Sequence, residues 1–291
     1  PWELRATDWR DPDQNPAYVP YIKGAKSQMW FEPLQFVLRW KGSGLELRLS
    51  TKAQFRNEDC YFQQGIAYST IGSHFRCRKH LYPSVFDVSG ASIFPDDIDG
   101  VLVQLNSKKS RTMLEELNPT VNFQSSDIGK LPLSPHPRAQ EIMTVLEQSF
   151  RQHERQRETS VEFVRPGPST WKSAQLWAEE AISSAQIPAF VPTIVEPSAQ
   201  QKISYAFGAL LGRFSTDNGT LSSASDSTAS TGMCFLSTTE HLNDDLTKAE
   251  SDELHRMWSE VKEDIRSPDL RSYLLSEFFK AHLETYEKRP I

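Results

Sequence analysis

The hydrophobic period of this 291-residue chain changes near Leu131, so no architecture built on a single period can hold it. Up to that point short β-rich runs are punctuated by Gly, Pro, Asn and Asp: AYVPYI (17–22), LQFVLRW (34–40), LELRL (45–49), GIAYSTI (65–71) and VFDV (85–88). Lys41-Gly42-Ser43-Gly44 reads as a hairpin turn between two of these runs, because no helix pattern follows that would make it a phosphate cradle. One helix interrupts them, Asp97 to Asn106, with Ile98, Val101, Leu102 and Leu105 at helical spacing. The expectation is an α+β protein whose residues 1–133 form a twisted, mainly antiparallel, β-rich subdomain.

Residues 134–291 follow the 3.6 period and predict a helical subdomain. Ile142, Val145, Leu146 and Phe150 stripe a charged helix from about Arg138 to Arg157; further helices run from about Thr170 to Ser184 and Ala199 to Arg213. Gly208 and Gly212, four apart in the last of these, suit close packing. Leu254, Met257, Trp258, Val261 and Ile265 mark a fourth helix. Ser267, Pro268 and Asp269 supply an N-cap, a first-turn proline and a first-turn acid for a fifth, which carries Leu270, Tyr273, Leu274 and Phe278. Two stretches fall outside the pattern. Ile187 to Pro197, with three prolines, predicts an extended connector, and the Ser/Thr-rich residues 215–232 predict a flexible surface loop.

Composition narrows the setting. Apolar runs fall far short of the roughly 20 residues of a membrane span, so no membrane partner is expected. Cys60, Cys77 and Cys234 form no CxxC pair and leave an odd thiol, which favours a reducing, cytoplasmic location. The net charge of −6 is unevenly spread: Ala17 to Lys130 holds 14 Lys and Arg against 11 Asp and Glu, a net of +3, whereas residues from Leu131 onward carry a net of −7. Only the first part has the bias that displaces counterions from phosphates. The start at Pro1 and the end at Ile291 lead us to expect a piece of a longer chain.

Strings with catalytic associations lack their context. Asn15-Pro16-Ala17-Tyr18 has Ala where a base-holding Asn-Pro-Pro-aromatic tetrad has its second Pro, and fourteen preceding residues cannot hold a cofactor-binding strand and Gly-rich turn. His74, Cys77 and His80, with Cys60 upstream, match no zinc-finger spacing, and Arg76, Arg78 and Lys79 would crowd positive charge about the ion. Glu260-Val261-Lys262 sits on a helical stripe rather than on the strand a metal-dependent nuclease needs. No catalytic residue, metal ligand or cofactor site is therefore expected in this chain. The Tyr68 to Lys79 string differs in kind: hydroxyls, rings and alternating Arg and Lys are groups that contact phosphates and bases.

Several strings occur in a fixed order. They are YVPYIKG (18–24), RNEDCYFQQGIAYSTIGS (56–73), FDVSGASIFP (86–95), LNPTVNFQSSDIGKLPL (117–133), QKISYAFGALLGRFS (201–215) and LRSYLLSEFFKAHLETYEKRPI (270–291). Together they resemble the target-recognition region of PglX-type BREX phage-defence enzymes and of the related Type IIG adenine-specific DNA methyltransferases. Tyr68 stands where that family usually has Trp, and the segment between the Leu-Pro-Leu string and the Ser-Tyr-Ala helix is shorter here. The resemblance implies sequence-specific reading of double-stranded DNA by this chain. It also implies adenine N6 methylation by a catalytic domain lying upstream, where S-adenosylmethionine would bind. The helices of 134–291 would brace that upstream domain, and other defence-system subunits are possible partners. On this reading the DNA contacts are Lys23, Lys26, Arg56, Tyr68, Ser69, Arg76, Arg78 and Lys79, with Asn122 and Gln124 as further polar contacts. The competing reading is a protein-interaction module that docks defence-complex subunits through its acidic helical part.

Overall fold

The computed structural model describes residues 15–24, 28–210, 213–214 and 245–286, with only the backbone for 245–251. Within them the fold is α+β, and the chain divides into two compact units: residues 1–151 with 170–193, and residues 152–169 with 194–291.

The first unit contains two small mixed sheets. In one, β1 (Tyr18–Ile22) lies between β3 (Phe36–Arg39), antiparallel, and β6 (Val85–Phe86), parallel. In the other the order is β2-β5-β4-β7: β2 (Trp30–Phe31) runs parallel to β5 (Cys77–Lys79), while β4 (Ile66–Tyr68) is antiparallel to β5 and to β7 (Ser92–Ile93). Three of the five strand pairings are antiparallel, so the β part is mainly antiparallel as expected, arranged as two small mixed sheets.

Two expectations for this part are corrected. LELRL is no strand; it belongs to α1 (Lys41–Arg48), entered through the left-handed residues Gly42, Ser43 and Gly44. Trp40 lies so close above Gly44 that an added Cβ would stand 3.2 Å from its ring. No strand partner reaches Leu45 or Leu49, which stay exposed, so alternation there buries nothing. Nor is the Asp97–Asn106 helix the one helix of this part: α2 (Ile98–Leu105) is followed by α3 (Lys108–Leu117), capped by the Ser107 hydroxyl on Ser110 N, and by the short α4 (Ser125–Ile128).

The core of this unit draws on both sides of residue 133. Trp30, Phe31, Ile66, Tyr68, Cys77, Leu102 and Leu105 pack with Ile142, Leu146 and Phe150 of α5 (Ala139–Gln156) and with Ala174, Ala178 and Ala181 of α6 (Trp171–Ser183). Phe31, Phe150 and Trp171 form an aromatic triangle with centroids 5.0 to 6.0 Å apart. Each such buried side chain contributes roughly 1.5–3 kcal/mol.

The second unit is helical: α7 (Ala199–Leu210), α8 (Asp245–Val261), α9 (Leu270–Tyr273), a π-helical turn (Leu274–Phe278) and α10 (Phe279–Thr285). Ile203, Ala206, Leu210, Leu254, Val261, Tyr273 and Phe278 form its core. Ile265 joins this core from beyond the end of α8, and Asp269 rather than Ser267 caps α9, its carboxylate accepting from Ser272 N. Glu158 ties three segments together by accepting from Ser204 Oγ at 2.9 Å and Tyr286 Oη at 2.6 Å. Gly208 packs directly on Phe214, while Gly212, Cys234 and the 215–232 loop lie outside the described residues. No helix among the described residues is long and apolar enough to cross a membrane.

Candidate nucleic-acid interface

The ends of the two sheets in the first unit form the walls of a cleft of about 530 Å³. One wall is the exit of β1, Lys23 and Gly24, with Phe36 of β3 and Ser89. The other is the β4–β5 connection, Ser69 to His74, with Arg76. Pairing of Ile22 with Phe86 brings Ser89 beside Gly24, whose N–H donates to the Ser89 hydroxyl at 3.2 Å. That approach requires Gly90, since a Cβ there would stand 2.7 Å from the Lys23 carbonyl carbon. Asp87 shapes the turn by accepting from Ser89 N, Ser89 Oγ and Gly90 N, and its other carboxylate oxygen accepts from Tyr21 Oη. Burial, followed by the Asp87 charge, pushes the Tyr21 phenol up to about 12.

The opposite wall is pinned from behind. Gly72 N donates to Val121 O and Phe123 N to Thr70 O, with Ile71 bridged to Asn122, so the loop is tied to the 118–123 segment as a short ladder. Beneath it Phe75 packs on Tyr68 at 5.7 Å and on Phe123 at 5.2 Å.

The ten sequence-predicted contacts separate sharply. Lys23, Ser69 and Arg76 line the cleft; the Lys23 ammonium also lies 5.5 Å from the Phe36 ring centre. Asn122 and Gln124 are exposed on the bracing segment, and Arg56 is exposed on a loop that does not line the cleft, bonded to Gln54 Oε1. Lys26 lies outside the described residues. Lys79 is held away in ion pairs with Asp99 at 2.8 Å and Glu147 at 3.8 Å.

Tyr68 and Arg78 need correction as surface contacts: both are buried, at 2% and 0% exposure. The reason is topological. β4 and β5 are the inner strands of the second sheet, covered on both faces, so alternation along them does not put one face in solvent. Arg78 instead acts as a strut between the walls. Its guanidinium donates to Glu32 at 2.5 Å, to Ser69 Oγ at 3.2 Å and to the Lys23 carbonyl at 3.5 Å. Burial pushes the Glu32 carboxyl up, against the pull of Arg78.

His80, next along the strand, is equally enclosed. Its Nδ1 donates to the Gln63 carbonyl and its Nε2 faces the Ser92 hydroxyl, with the ring edge-on to Phe94. Burial holds the imidazole down to about 4, the Gln63 contact opposing and the Arg78 charge adding. Burial also raises the Cys77 thiol. Among the described residues no three His, Cys, Asp or Glu side chains gather closely enough to hold a metal ion. Phe36 and Ser89 carry no local signal linking them to the Tyr68–Lys79 string; only the pairing of β1 with β3 and β6 brings them there.

No protein-family model matches the chain. Curated relatives include the adenine-specific methyltransferase BrxX of Escherichia coli O9:H4 (strain HS), 27% identical over 157 residues, 52% of this chain and 13% of that protein. They also include the adenine-specific methyltransferase PglX of Lacticaseibacillus casei (strain Zhang), 25% identical over 361 aligned residues, 96% of this chain and 30% of that protein. The relatives are thus adenine-specific methyltransferases at low identity, and the chain spans less than a third of their length.

Proposed function

We propose that this chain is the duplex-reading module of a larger N6-adenine DNA methyltransferase of the phage-defence kind, with the cleft as its DNA-facing surface. The observation that carries the reading is the cleft's chemistry. In a chain of net charge −6, the described residues lining it include Lys23, Arg76, His74 and the hydroxyls of Ser69, Thr70, Ser73 and Ser89, and no Asp or Glu. Cations with hydroxyls and backbone amides on a fixed scaffold are what phosphate positioning requires, and Arg76 can serve either a phosphate or a guanine edge. Asn122 and Gln124 on the bracing segment extend the polar surface. S-adenosylmethionine and the transfer step belong, on this reading, to the part of the protein preceding this chain, against which the helical unit packs.

The test is a salt titration of duplex binding by the chain, alone and joined to its preceding domain. Lys23→Ala should weaken binding on all sequences and reduce the salt slope by about one. Arg76→Ala should do the same if it meets phosphate, or relax one base position if it meets guanine. Absence of salt-dependent binding in both forms would sink the proposal.

A second reading, docking of a defence-complex subunit, draws on one feature of the helical unit: Leu275, Phe279 and Leu283 are 75%, 51% and 46% exposed at four-residue intervals. Loss of subunit capture by Leu275→Glu with DNA binding intact would favour it.

A further inference from the structure

We infer that Ile71 is an apolar wedge that enters the base stack of the duplex and opens it; the inference rests on the DNA-reading function proposed above. Ile71 lines the cleft, yet 70% of it is exposed. Single exposed apolar residues are ordinary on protein surfaces. What distinguishes this one is how it is held. The residues on either side, Thr70 and Gly72, bond to Phe123 and Val121 across the bridge at Asn122, and the loop stands on the buried Tyr68–Phe75–Phe123 ring cluster. A β-branched side chain on such a base has little rotamer freedom to lose. It projects as a stiff, preset apolar point, with Val121, 58% exposed, beside its base.

Its surroundings say what the point would meet. Around it are Thr70, Gly72, Ser73, His74 and Asn122, small or polar, with Lys23 and Arg76 in the same cleft. A protein partner binding by hydrophobic contact would call for a broad apolar patch there, whereas Ile71, with Val121 and Phe36 as exposed apolar neighbours amid cations and hydroxyls, suits a polyanion with an apolar interior. Duplex DNA is such a ligand: phosphates would engage the cations while the tip enters between base pairs, as apolar wedges do in proteins that kink the helix. The chemistry of the proposed parent gives the wedge a use. An adenine amino group inside a duplex is reached only after the base leaves the stack, and local unstacking by the recognition module lowers the cost of that step.

The experiment uses the full chain and a mixed-sequence duplex carrying 2-aminopurine at several adenine positions, whose fluorescence rises when stacking is lost. Binding by the unaltered chain should raise the signal severalfold. Ile71→Ala, at an exposed position that leaves the core intact, should keep its circular dichroism spectrum and, since no charge is removed, its salt slope, while losing most of the rise; Ile71→Leu should restore it. Binding without any rise, or a rise unchanged in Ile71→Ala, overturns the wedge and leaves DNA reading standing. An affinity loss in Ile71→Ala matched by replacing thymine with deoxyuracil, with no fluorescence change, would make Ile71 a reader of the thymine methyl and likewise overturn the wedge. No salt-dependent binding at all removes the DNA reading and the wedge with it.

Discussion

Arg78 shows how one side chain can serve a surface it never touches. With no exposure of its own, it bonds to Ser69 on one cleft wall and to the Lys23 carbonyl on the other, and the Glu32 carboxylate neutralises it. Arg78→Met should therefore cost about 3 kcal/mol, read as a lowered urea midpoint, because Glu32 is left buried without its counter-charge. Adding Glu32→Gln should recover part of that loss. If the single variant unfolds no earlier than the parent chain, the strut is not structural. Next to it, His80 sets a pH dependence. Unfolded histidine binds its proton near pH 6.5 and folded His80 only near 4, so between these values the unfolded chain holds more protons. Stability should fall on acidification from pH 6.5 to 4, by up to roughly 3 kcal/mol, and His80→Gln should flatten that window when midpoints are measured across it. At this scale the sequence was informative about side-chain type and silent about direction. Lys23, Ser69 and Arg76 reached the cleft, whereas Tyr68 and Arg78, from the same string, turned inward because the strands carrying them are covered on both sides.

Among elements, legibility followed period and caps. α2, α5 and α6 lie within a residue or so of their expected bounds, since Ile142, Leu146 and Phe150 repeat on one face and few competing pairings exist for such a stripe. α3 leaves little trace in the sequence because only Ser110 and Leu114 are buried in KKSRTMLEEL, too few to mark a stripe; its one strong local sign is the Ser107 cap. LELRL illustrates the opposite failure. Leu45 and Leu49 are four apart as well as alternate, so the string serves a helix and a strand equally, and the left-handed turn through Gly42–Gly44 directed it into the helix. The cleft depended on information carried by no single element. Ser89 is 66 residues from Lys23, and only the parallel pairing of β1 with β6 makes them neighbours; parallel pairing leaves no hairpin signature in sequence.

For the whole molecule, the change of period at residue 131 and the division into compact units are separate facts. The first records where strands give way to helices; the second depends on which faces bury one another. Ile142, Leu146 and Phe150, with Trp171, Ala174 and Ala178, close the core under β2, β4 and β5, so the unit that holds the cleft is completed only by 139–151 and 170–193. A chain ending at Leu133 leaves Phe31, Ile66 and Leu102 without that cover. The area lost involves several large side chains at roughly 1.5–3 kcal/mol each, comparable to the whole stability of a domain this size. A fragment of residues 1–133 should then keep far-ultraviolet helix and strand signal but show little near-ultraviolet signal from its aromatic residues and no cooperative melting. A fragment of residues 1–193 should melt cooperatively and retain whatever duplex affinity the full chain has, because every described residue that lines the cleft precedes Ala91. Cooperative unfolding of 1–133 alone would show that the helices after the change of period are an accessory to the cleft rather than part of its foundation.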